Sequence, residues 1–73
     1  MADEEKESKS ETLGERIAEV RTEQGVSVED AASRAGIEVS IWQGIESGIY
    51  RPKLNTVWTI ASALSVRPVK LFK

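Results

Sequence analysis

Ser40 and Gln43, one helical turn apart, are the side chains in this chain best suited to recognition chemistry, and Arg51 and Lys53 follow them closely. A carboxamide carries a donor beside an acceptor and can bond an adenine edge at two points, while a hydroxyl can bond several base edges. Guanidinium and ammonium groups suit phosphate oxygens. Polar side chains followed by cations suit non-covalent binding rather than bond breaking. The chain has no histidine and no cysteine, no glycine-rich phosphate loop and no clustered carboxylates on one buried face. Its serines and lysines show no spacing that would activate a nucleophile. An enzyme, a cofactor and a typical zinc site are therefore not expected.

The stretch Ser27 to Gly48, SVEDAASRAGIEVSIWQGIESG, must position these groups. It reads as two short helices joined by a tight turn at Ala35-Gly36-Ile37. Ala31, Ala32 and Ala35 allow close approach, Gly36 reverses the chain, and Ile37, Trp42 and Ile45 supply the apolar face. This is the helix-turn-helix pattern, whose second helix, about Val39 to Ser47, stands proud of the body. Ser27 caps the first of the pair, with Glu29 and Asp30 near the positive end of its dipole.

Upstream, Thr12-Leu13-Gly14-Glu15 has capping-box spacing. Leu13, Ile17, Val20 and Gln24 continue at helical spacing until Gly25. Downstream, Pro52 disfavours helix at Arg51 and sets a loop over Ile49 to Lys53. Leu54, Val57, Trp58, Ile60, Ala61 and Leu64 then form one broad apolar face. Pro68 opens a last short helix carrying Val69, Leu71 and Phe72. No strand-period alternation occurs. The expected fold is all-α, a compact bundle of five helices.

A chain of 73 residues permits one domain with a small core. Without disulfides or zinc, tight packing or self-association must stabilise it. The net charge of −2 conceals a gradient. Residues 1–11 hold five acids against two lysines, residues 12–47 seven acids against three arginines, and residues 48–73 five basic residues and no acid. The basic charge thus begins just after the candidate reading helix. Residues 1–11 carry too little apolar surface to offset their ordering entropy and read as a disordered acidic tail ahead of a domain at 12–73. No run is long enough to span a membrane and no signal peptide is evident, so a cytoplasmic location is expected.

From Thr12 to Phe72 the chain resembles the Cro/CI-type, or XRE, family of phage-repressor domains. The resemblance rests on Leu13-Gly14-Glu15-Arg16-Ile17 with Arg21 and Gly25, then Ala32, Gly36 and Ile37. It continues through Ile45-Glu46-Ser47-Gly48, Pro52 and Ile60-Ala61-Ser62-Ala63-Leu64. It implies a helix-turn-helix bundle that reads palindromic double-stranded DNA as a homodimer. It also implies a structural ion pair between Arg21 and Glu46. Base-reading positions correspond to Glu38, Val39, Ser40, Gln43 and Gly44. Phosphate contacts correspond to Arg51 and Lys53 and to the backbone amides of Val28 and Glu29.

The departures from the family matter as well. Val28 stands where a glutamine often begins the second helix. Gly44 removes a side chain where a reader is expected and lowers helix propensity by roughly 1 kcal/mol relative to Ala. It either makes room for Trp42 or lets the backbone approach DNA. Val66, Val69, Leu71 and Phe72 are the interface candidates, Val69 and Phe72 foremost, and Trp58 is either core or partner surface. A transcriptional regulator is the first expectation. The alternative is a protein-interaction module, or an antitoxin-like protein, that keeps the fold and docks a partner over Val39, Ile41 and Tyr50.

Overall fold

A computed structural model describes residues 12–72 and contains four α-helices and a 3-10 turn. The helices are α1 (Leu13–Glu23), α2 (Val28–Ala35), α3 (Val39–Ser47) and α4 (Leu54–Ala63), and the turn is Pro68–Leu71. The acidic tail expected over residues 1–11 lies outside the described residues. Where a fifth helix is expected, four residues make one turn, closed by bonds from Lys70 N–H to the Arg67 carbonyl (2.9 Å) and from Phe72 N–H to the Val69 carbonyl (3.1 Å). A segment this short takes the tighter i to i+3 pattern.

The helix ends follow local chemistry. The Thr12 hydroxyl accepts from the Glu15 amide at 3.1 Å, and the Glu15 carboxylate accepts from the Thr12 amide at 3.0 Å. Ser27 Oγ accepts from the Asp30 amide at 3.0 Å and caps α2. Gly36, at φ 69°, ends α2, and Ile37 N–H returns to the Ala32 carbonyl at 2.9 Å. That bond reverses the chain between α2 and α3.

The core consists of Ile17 and Val20 from α1, Ala31 and Ala32 from α2, and Trp42 and Ile45 from α3. Val57, Ile60, Ala61, Leu64 and Leu71 complete it from the second half of the chain. The alanines let α2 lie close to both α3 and α4. On α4 the buried residues are Val57, Ile60, Ala61 and Ala63, continued by the C-cap Leu64, a face narrower than the apolar one in the sequence. Leu54 and Trp58 fall outside it, 64% and 53% exposed. Leu71 is not an interface residue: it is buried in its own core, with Val66 packed against that core.

Two polar tethers bind α1 to the second half of the chain. Gln24, expected to extend the apolar stripe, instead caps α1 and donates through Nε2 to the Leu64 carbonyl at 2.7 Å. Arg16 Nε donates to the Lys70 carbonyl at 2.9 Å while its Nη1 meets Glu19 at 2.8 Å. Among the described residues, no helix is long and apolar enough to cross a membrane.

At Gly14 the backbone of α1 lies close against that of α3. A Cβ there would overlap the Ile45 carbonyl oxygen and lie 2.9 Å from that of Glu46. Both obstacles are backbone, so no side chain can rotate away. Gly14→Ala should therefore destabilise the fold by about 1–3 kcal/mol despite the better helix propensity of alanine, a loss that urea unfolding would measure.

Candidate nucleic-acid interface

The angle of α3 is set by a polar cluster at its inner edge. Arg21 Nε donates to Glu46 Oε2 at 2.6 Å and Nη2 donates to Oε1 at 3.1 Å, a two-point pairing of α1 with α3. A third guanidinium nitrogen, Nη1, donates to the Val26 carbonyl at 2.8 Å, tying in the approach to α2. Trp42 is wholly buried, and its indole N–H donates to Glu46 Oε2 at 2.6 Å. Burying this indole demands an acceptor, and Glu46 serves the ring and the guanidinium together. The hydrogen bonding of Arg21 to Glu46 raises the Arg21 pKa above its ordinary value, against the opposing effect of burial; the charges of Glu46 and Glu29 add to the rise.

The outward side of α3 carries Ser40 and Gln43, both exposed. Glu38 is the N-cap residue, exposed and without a side-chain capping bond. Val39 is turned inward and packs against the core, which leaves it little surface for a groove. Ile41 is exposed beside them.

Gly44 does not fit the expectation of a base-reading position. It is buried, and a Cβ there would overlap the ring of Tyr50. The space it creates is filled by Tyr50, not by Trp42, which points into the core. Tyr50 N–H also donates to the Gly44 carbonyl at 3.1 Å, so the loop after α3 is laid back along the helix. A glycine inside a helix signals vacant volume, but nothing in the order of residues says that a tyrosine six positions on will occupy it.

At the start of α2, the amides of Val28 and Glu29 have no acceptor among the described residues, whereas that of Asp30 is held by Ser27. The Val28 side chain packs against the core and that of Glu29 is exposed. Arg51 and Lys53 are exposed in the loop between α3 and α4, and Arg51 shares a depression with Tyr50, Pro52 and the start of α1. Trp58, Val69 and Phe72 line an apolar groove with Arg67 and Pro68. The described residues hold no group of three or more His, Cys, Asp or Glu side chains that could bind a metal.

A small all-α scaffold that locks one short helix by its inner edge and leaves its outer face to solvent is a helix-turn-helix domain. The chain belongs to the helix-turn-helix domain family, whose model matches residues 12–71, and it is of the Cro/CI, or XRE, type. Among solved structures, it is similar to the restriction-modification controller protein C.AhdI from Aeromonas hydrophila. The identity is 35% and the TM-score 0.80, over 82% of this chain and 91% of that one. SinR, the master regulator for biofilm formation in complex with DNA, is 27% identical at a TM-score of 0.78, covering 85% and 100% of the two chains. SinR is also seen in a complex with the SinI protein. The P22 c2 repressor in complex with a synthetic operator shares the fold at 20% identity and a TM-score of 0.77, over 88% and 97%. No curated protein sequence matches the chain significantly.

Two outcomes test this geometry. Glu46→Ala leaves the Arg21 charge and the Trp42 N–H without their acceptor and should cost about 3 kcal/mol, with Glu46→Gln losing less because it still accepts from Trp42; thermal unfolding would rank the two. A double-mutant cycle should show that Gly44→Ala destabilises the parent but stabilises Tyr50→Ala by about 1 kcal/mol. The alanine then gains helix propensity without meeting a ring.

Proposed function

We propose that the protein is a sequence-specific transcriptional regulator that binds double-stranded DNA as a two-fold dimer. In this reading α3 enters the major groove, with Gln43 and Ser40 bonding base edges and Glu38 accepting from a cytosine amino group. The amides of Val28 and Glu29 receive one phosphate, and Arg51 and Lys53 receive others. The supporting observation is that an ion-paired, well-supported α3 carries exposed polar readers and is followed at once by exposed cations. The relation to SinR, a regulator seen with DNA, supports the same function. Residues 12–73 form the binding domain, preceded by the acidic residues 1–11, in a cytoplasmic protein that is not an enzyme.

Dimerisation suits the apolar surface around Trp58, Val69 and Phe72. Val69 (67% exposed) and Phe72 flank Trp58, and a second copy would cover all three. Two reading helices about one DNA turn (~34 Å) apart would then meet a palindromic site.

A second reading, docking of a partner protein, is favoured by the exposed Ile41, Ile49, Tyr50 and Leu54. The complex of the related SinR with SinI shows a relative in such an assembly.

Selection from genomic fragments with purified protein, followed by affinity against salt, separates the two. A regulator should recover a palindrome. Gln43→Ala should relax one symmetric position of it, and Arg51→Ala should weaken binding to all sequences and reduce the salt slope by about one per site contacted. Recovery of no preferred site, with weak salt-sensitive binding to any duplex, would overturn the regulator and favour the partner-docking role.

A further inference from the structure

Gly44 follows Ser40 by four residues and precedes Ser47 by three, so it shares their outward face of α3. A glycine there should lie open to solvent, yet it is buried. Tyr50 covers it, with its ring against the Gly44 α-carbon and its amide bonded to the Gly44 carbonyl. Half of Tyr50 remains exposed (49%), and its hydroxyl has no protein partner among the described residues. The outward surface of α3 is therefore completed by a side chain that α3 does not contain.

We propose that Tyr50 is a further DNA-contacting residue, its phenol donating a hydrogen bond to an acceptor atom of the duplex beyond the reach of Ser40 and Gln43. This rests on the DNA-binding reading above. The ring fills the place of the side chain that Gly44 lacks and brings a neutral donor to a position where α3 itself has no side chain. Its amide bond to α3 makes the loop and the helix one unit, so little conformational freedom is lost when the hydroxyl engages. The acceptor is either a phosphate oxygen or a base edge, since one phenol can serve both.

The test is Tyr50→Phe, which keeps the ring over Gly44 and deletes only the donor. Thermal unfolding should match the parent. Affinity for the selected site should fall about tenfold, the loss expected for a hydrogen bond to an ionised or desolvated acceptor. An equal fall on every duplex assigns the contact to phosphate, and relaxed preference at one symmetric position assigns it to a base edge. Parent-like affinity and preference for Tyr50→Phe, with Gln43→Ala still impaired, would overturn the role of Tyr50 alone. Failure of the parent to bind any duplex would overturn the DNA-binding reading and Tyr50 with it.

Discussion

Everything outward on α3 depends on the carboxylate of Glu46. It receives two bonds from Arg21 and one from Trp42, and so joins α1, α3 and the largest buried ring in the core. A charge this enclosed is tolerated only when its acceptor sites are used, and here three donors converge on two oxygens. The net stability of such a cluster is modest, because desolvation offsets much of the attraction. Its value is directional. Two parallel bonds from a planar guanidinium fix the rotation of α3 about its own axis, which apolar contacts alone would allow to slide.

The two helical glycines work with that constraint at short range. Gly14 brings the backbone of α1 against the carbonyls of α3, close enough for Arg21, two turns along α1, to meet Glu46. Gly44 lets the following loop fold back onto α3, and the hydrogen bond from the Tyr50 amide pins it there. One glycine admits a neighbouring helix and the other a neighbouring loop. In a domain with so small a core, this packing does the work that disulfides or metals do in other small scaffolds.

Charge is distributed to match. The acids of the described residues lie mainly on α1 and α2, with Glu46 of α3 paired to Arg21, while the chain beyond Gly48 carries basic residues and no acid. The cations of the α3–α4 loop are thus free of ion pairs among the described residues. A chain that is acidic on balance can still present a local positive surface next to α3, because salt screens charges more than about 10 Å apart.

The order of residues was enough for the helices, because their signals are local. Thr12 and Ser27 cap, Gly36 and Gly48 end helices, Pro52 breaks one, and the spacing of Ile17, Val20, Trp42 and Ile45 marks the faces turned inward. The pairing of Arg21 with Glu46, carried by the family resemblance, has the geometry of a two-point ion pair. The tertiary structure alone decided which apolar residues remain outside. Leu71 and Trp58 are both candidate core residues in the sequence, yet one seals the core and the other faces solvent, because burial depends on where the 3-10 turn lies against α1 and α4. It also decided what Gly44 is for. A missing side chain is visible in a sequence, but the ring that fills its place arrives through a loop, and only the folded backbone brings Tyr50 and Gly44 together.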